Sequence, residues 1–208
     1  GLRGQVAGET SLSTVGQIEG LAYRGHKIEL LAEKSTFEEV AYLLIYDKLP
    51  NLQELDDYKK LLKSHRDLPV ELKEVLQKIP ATAHPMDVMR TGTSMLGNLE
   101  PEGEFSNQLN SINRMIATMP SIVTYWYKYS HEGLDINLVN DEESMAGHFL
   151  HILHGKTPSN FFVIISSNFN PYLKILYPVF FHDYNNLKFR TTLPGFALYL
   201  TEALVSRL

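Results

Sequence analysis

A chain of 208 residues with 44% hydrophobic content can bury one substantial core, so one domain or one and a half is expected. Its net charge of −5 provides no basic face to neutralise phosphates, which argues against a nucleic-acid partner. The absence of cysteine excludes disulfides and thiolate metal sites but leaves the compartment open.

The sequence starts at Gly1 rather than Met, as a trimmed start would, and nothing near it has the apolar core of a signal peptide. No repeat of roughly 20–50 residues is visible, which disfavours a solenoid. Residues 1–25 are rich in Gly, Thr, Ser and Val, and the glycine breaks predict short extended segments with tight turns. Ile28, Leu30 and Leu31 then predict a short helix ending near Ser35. Thr36 and Glu39 have capping-box spacing, ahead of a helix from Phe37 that buries Val40, Ala41, Leu43 and Leu44. Leu49-Pro50 is expected to stop it, because a residue before proline is pushed out of the helical region.

Asn51 with Glu54 marks the next start, and Leu52, Leu55, Tyr58, Leu61 and Leu62 recur at helical spacing. Asp56, Asp57, Lys59, Lys60 and Lys63 form its solvated face. Leu68-Pro69 restarts the pattern, with Pro69 expected at the first helical position and Val70, Leu72, Val75, Leu76 and Ile79 as the stripe. His84-Pro85 opens HPMDVMRTGTSMLG, where Met86, Met89 and Met95 suggest core packing. Residues 98–105 are a turn-rich loop. Leu109 to Tyr129 predicts a long apolar helix that Pro120 should bend or interrupt, and that would expose apolar faces meant for absent partners. After a polar loop from His131 to Asn140, Asp141 is expected to cap a helix that Gly155 stops. The body is therefore mainly α, with short extended segments near the N-terminus.

Beyond Ser159 the composition shifts to Phe, Tyr, Asn, Ile and Leu, with very few acids. Within Phe161 to Phe181 only Lys174 is formally charged, but Asn168, Asn170, Pro171 and Lys174 sit mid-stretch, where a membrane span tolerates them least. A membrane partner is therefore not expected. A buried helix pair over 172–182 and 194–207 is the other reading of this tail.

His148, His151 and His154 recur every three residues, which could make a metal face, yet a step of six sweeps round the helix and no carboxylate interleaves. Satisfied, partly buried histidines are the stronger reading. His84 reads as a helix-start residue bonding nearby backbone, and Arg24 as an arginine tying a turn to a carboxylate rather than binding an anion. The pairs Glu38–Glu39 and Glu142–Glu143 stand at helix starts, where the dipole favours acids. Gly1, Gly4 and Gly8 make no phosphate loop, and Ser11, Ser13 and Ser94 lack a nucleophile elbow. The residues themselves thus outline a helical domain with no self-contained active site.

Six stretches together resemble the citrate synthase family, and within it the 2-methylcitrate synthases. They are GLRGQVAGETSLSTVG (1–16), LAYRG (21–25), FEEVAYLLIYDKLP (37–50), HPMDVMRTGTSMLG (84–97), YWYKYSHEG (125–133) and AGHFLHILHGKTPS (146–159). His26 departs from the aromatic residue that usually follows YRG in the family. The resemblance implies the N-terminal part of the family's large helical domain, in a two-domain, cytoplasmic homodimer. It implies condensation of acetyl-CoA or propionyl-CoA with oxaloacetate, acyl-CoA being a co-substrate and no cofactor being bound tightly. That chemistry needs a carboxylate base, a histidine donor for the enolate and a second histidine on the keto group, with arginines on the oxaloacetate carboxylates.

The family's catalytic histidines in EHEFNAS-like, LHGGAN and GFGH segments are missing. His154-Gly155-Lys156 and Gly147-His148 are not those motifs, and Asp183 lies in HDYNN, outside any family context. No residue is therefore assigned a catalytic, cofactor-binding or metal-binding role. The expected organisation is a truncated synthase-like region over 1–159 and an aberrant tail over 160–208, whose bias suits a shifted reading frame or readthrough of AT-rich sequence. A truncated synthase, inactive alone, is the leading functional expectation. The alternatives are a non-catalytic protein pairing with a full-length synthase through the family's dimer helices, and a small membrane-associated protein anchored by 161–181.

Overall fold

The extended segments near the start form a three-stranded antiparallel sheet in the order β1 (Ser13–Gly16), β2 (Gly20–Tyr23), β3 (His26–Lys27). Tyr23 faces Ser13 on one side and His26 on the other. The β2–β3 turn is Arg24-Gly25 with φ of 47° and 80°, the left-handed pair that matches the twist of a two-residue hairpin. Arg24 is held in this conformation by its side chain, which donates to Ser11 Oγ (2.6 Å) and Leu44 O (2.9 Å) and pairs with Asp47 (3.4 Å). It ties a turn to a carboxylate, as the sequence reading expects. The computed structural model describes Gly8, residues 10–16 and residues 20–158; the candidate span at 161–181, the helix pair at 172–182 and 194–207, and the whole of the 160–208 tail lie outside the described residues.

Seven α-helices follow among the described residues: α1 (Ile28–Lys34), α2 (Phe37–Tyr46), α3 (Leu52–Ser64), α4 (Val70–Lys78), α5 (Pro85–Leu99), α6 (Gln108–Glu132) and α7 (Met145–His154). Both capping boxes form. Thr36 Oγ1 accepts from Glu39 N while Glu39 returns to Thr36 N (2.6 Å), and Asn51 and Glu54 do the same at α3. His84 Nδ1 accepts from Met86 N (3.1 Å), with Pro85 as the first residue of α5. Gly155 closes α7 at φ 67°.

Several boundaries differ from expectation for local reasons. Asp47, left-handed at φ 64°, ends α2 two residues before Leu49-Pro50 can act. Pro69 is the residue preceding α4 rather than its first turn. Helix α5 runs on to Leu99, so the turn-rich loop is shorter than 98–105, and it closes with a 3₁₀ turn at Phe105–Asn107. Ser144, not Asp141, caps α7 by accepting from Gly147 N (2.9 Å); Asp141 points to solvent and pairs with Lys63 (3.2 Å).

Helix α6 is the largest correction, because it continues through Pro120 uninterrupted. Proline removes one helical donor. Hydroxyls engage carbonyls nearby: Thr118 donates to Arg114 O (2.9 Å) and Thr124 to Pro120 O. Packing holds the helix on several sides at once, since α3, α4, α5 and α7 all lie against it. Leu109 is the exposed large apolar residue of α6 among those described, so the expected bare faces are not seen there.

Leu68, Leu72, Leu76, Val88, Met89, Leu96, Ile122, Tyr125, Trp126, Leu138 and Ile152 belong to one cluster between α4, α5, α6 and the chain entering α7. Ala41, Tyr58, Leu62, Ile112, Ile116, Ala117 and Met145 form a second, and Tyr23, Leu31, Val40 and Leu43 seat the sheet on α1 and α2. Leu52 (88% exposed) and Val70 (67%) fit the helical stripes by spacing but face solvent. Each begins its helix, beyond the reach of the next layer.

Helices α5 and α6 pack tightly at Gly92, where an added Cβ would lie 2.5 Å from Ile122 Cγ2. Gly92→Ala should therefore cost about 1–3 kcal/mol in urea unfolding. Ile122→Ala alone should cost about 2–5 kcal/mol, and the double variant should lose less than the two single losses together, giving a non-additive cycle.

Candidate functional site

The densest polar constellation gathers where residues 133–144 deliver the chain into α7. Arg66, just past the end of α3, is 2% exposed. Its guanidinium donates to three consecutive carbonyls: Glu142 O through Nη1, and Glu143 O (3.3 Å) and Ser144 O (3.2 Å) through Nη2. Burial draws Arg66 down to about 10, against the pull of Glu38 and Glu142, and it stays cationic at neutral pH. Glu38 of α2 is 1% exposed, and its Oε1 accepts from Met145 N at the first turn of α7 (2.7 Å). A buried carboxylate is tolerable there because the helix N-terminus and the nearby arginine both favour negative charge.

His148, fully buried on α7, completes a directional chain of hydrogen bonds. The carbonyl of Arg66 can only accept, so the Ser121 hydroxyl donates to it (2.7 Å). Ser121 Oγ must then accept from His148 Nε2–H (3.1 Å), which leaves Nδ1 bare to accept from Asn140 Nδ2 (2.9 Å). Asn140 Oδ1 in turn accepts from Glu142 N (3.2 Å). Burial above all, then the charges of Arg66 and His151, hold His148 down to about 3. It is a neutral imidazole with both nitrogens occupied.

Of the other weighed residues, His151 and Glu142 lie beside it and the rest serve elsewhere. His151 pairs with Glu142 Oε1 (3.2 Å), and His154 lies on the exposed side of α7. Among the described residues no group of three or more His, Asp or Glu could hold a metal ion. Glu38 and Glu39 have separate duties, one at the start of α7 and one in the α2 capping box, while Glu143 is exposed. The constellation positions the start of α7.

Arg114 of α6 plays a similar part at the α3–α4 turn. It takes Glu100 in a two-point grip (2.7 and 2.8 Å) and donates to the carbonyls of His65 and Asp67. Its charge pulls the Glu100 carboxyl below the usual range, and burial pulls His65 down. Sequence reasoning passed over Arg66, Arg114, Ser121 and Asn140. The available signal was faint: Arg66 interrupts SHRDLP between two helices, and Ser121 is a polar residue on the apolar side of a long helix.

Residues 1–169 match the family model of the citrate synthase C-terminal domain. The chain belongs to the citrate synthase family. It is 58% identical over 160 residues to the 2-methylcitrate synthase of Shewanella oneidensis, covering 76% of this chain and 43% of that protein. It is 35% identical over 167 residues to the citrate synthase of Acidithiobacillus ferridurans, with the same two coverages of 76% and 43%. The crystal structure of citrate synthase from Thermotoga maritima superposes with a TM-score of 0.64 at 31% identity, over 80% of this chain and 46% of that one. The fold also matches the Thermoplasma acidophilum citrate synthase solved with carboxymethyl-CoA and oxaloacetate, with a TM-score of 0.72 at 20% identity, over 80% of this chain and 45% of that one. The chain thus spans less than half the length of these relatives.

Loss of the guanidinium in Arg66→Met would leave three carbonyls without their donor and Glu38 without a countercharge. Urea unfolding at neutral pH should show a loss of about 3–5 kcal/mol. Glu38→Gln keeps an acceptor for Met145 N and should cost less, about 1–2 kcal/mol.

Proposed function

We propose that this chain is part of a citrate or 2-methylcitrate synthase, and that its 208 residues alone do not condense an acyl-CoA with oxaloacetate. The observation that carries the reading is the match of most of the chain to only 43% of a 58%-identical 2-methylcitrate synthase. A synthase scaffold is supported by that match. Lack of turnover is supported by the local chemistry: His148 is neutral and doubly bonded, and His151 is engaged by Glu142. The reaction needs a base beside the thioester and acid groups on the enolate and keto oxygens, all converging on one substrate. His148 instead braces the start of α7.

In the complete assembly the substrates of this reading are oxaloacetate and an acyl-CoA. The higher identity to the Shewanella enzyme, 58% against 35% for the Acidithiobacillus citrate synthase, favours propionyl-CoA over acetyl-CoA. The purified chain should release no free thiol above background from either acyl-CoA in the presence of oxaloacetate. Steady thiol release by the chain alone would defeat the proposal of inactivity.

A further inference from the structure

We propose that the segment 133–144 is an acid-released latch, held shut by the neutral form of His148 and freed, together with the first turn of α7, when that ring takes up a proton. This inference concerns the fold itself and does not depend on the condensation chemistry.

Neutral His148 donates from Nε2 to Ser121 and accepts at Nδ1 from the Asn140 amide. A protonated ring is a donor at both nitrogens. Asn140 could meet it only by turning its amide so that Oδ1 faces the ring. That oxygen already accepts from Glu142 N, and the turned amide would present N–H to N–H there. Protonation therefore breaks either the Asn140–His148 bond or the turn that sets Glu142, and Glu142 O is the first of the three carbonyls on Arg66.

The surrounding charges reinforce this. Facing the ring are the Arg66 guanidinium after α3 and His151 on α7 itself, both of which oppose a second cation. Helix α6 brings the uncharged hydroxyl of Ser121, the latch brings Asn140 and Glu142, and Glu38 of α2 is committed to Met145 N. No carboxylate touches the ring. Elsewhere the latch is held by Leu138, fully buried in the main cluster, by Asp135 on the Tyr125 hydroxyl (3.0 Å) and by the exposed Lys63–Asp141 pair. The part nearest α7 thus depends on the His148 circuit and on Arg66.

The sign follows from the lowered pKa. Folded, His148 is held down to about 3; in an opened latch it returns towards its ordinary 6.5. The opened form binds more protons between those values, so the latch is fully set above 6.5 and loosens as pH falls towards 3.

The test is amide hydrogen exchange on the full 208-residue chain, corrected for intrinsic rates. Opening of residues 138–147 should rise up to about tenfold per pH unit lowered below about 6, while α4–α6 stay protected. Asn140→Asp supplies an acceptor to both the protonated ring and Glu142 N. It should abolish that pH slope and move the His148 ring titration, followed by NMR, upward. If that variant does not fold, His148→Gln removes the titrating group and should give a flat profile. Opening in the unaltered chain that ignores pH, loss of protection in all helices together, or an undiminished slope in either folded variant would overturn the latch.

Discussion

One buried cation sets the geometry of the C-terminal half of the described fold. Arg66 lies out of water with no carboxylate in direct contact; three backbone carbonyls take the donors of Nη1 and Nη2, while Nε is buried without a partner. A buried charge left unmatched is expensive, so chain and guanidinium must be placed together. The carbonyls belong to residues 142–144, which fixes where α7 begins. Glu38, from a helix more than a hundred residues earlier, then meets the first free N–H of that helix. Loop, helix start and α2 are thereby tied into one electrostatic unit.

Around this unit α6 acts as the spine. It is buried against α3, α4, α5 and α7, and it accommodates Pro120 because four neighbours leave the helix no cheaper path. Its polar residues are turned to structural use: Ser121 links His148 to the Arg66 backbone, Asn113 donates to Tyr46 (2.9 Å), and Arg114 pins the α3–α4 turn. A helix that carries so many such contacts suits a scaffold. The chain belongs to the citrate synthase family and spans under half the length of these relatives.

Local signals were legible where neighbours in sequence complete the interaction. Thr36 with Glu39, Asn51 with Glu54, His84-Pro85 and Gly155 each use partners within four residues, and each appears as read. Asp141 failed as a cap because Ser144, three residues on, offers an oxygen at the point where Arg66 and Glu38 set the turn. Leu52 and Val70 failed as core because spacing gives a helix face but not what lies opposite it. Arg66, Ser121 and Asn140 escaped notice since their partners are distant in sequence or are backbone atoms, which leave no pattern.

By itself, then, the order of residues determined the helical class, the short extended segments at the start, the helix starts with caps of their own and the kinship to citrate synthases. These rest on short-range backbone chemistry, on periodicity and on motif order. Only the tertiary structure decided that Glu38 is buried, that α6 survives its proline and that His148 is fully buried with both ring nitrogens hydrogen-bonded. Those outcomes depend on which dipoles and charges surround a group once water has left, and that is a property of packing in three dimensions.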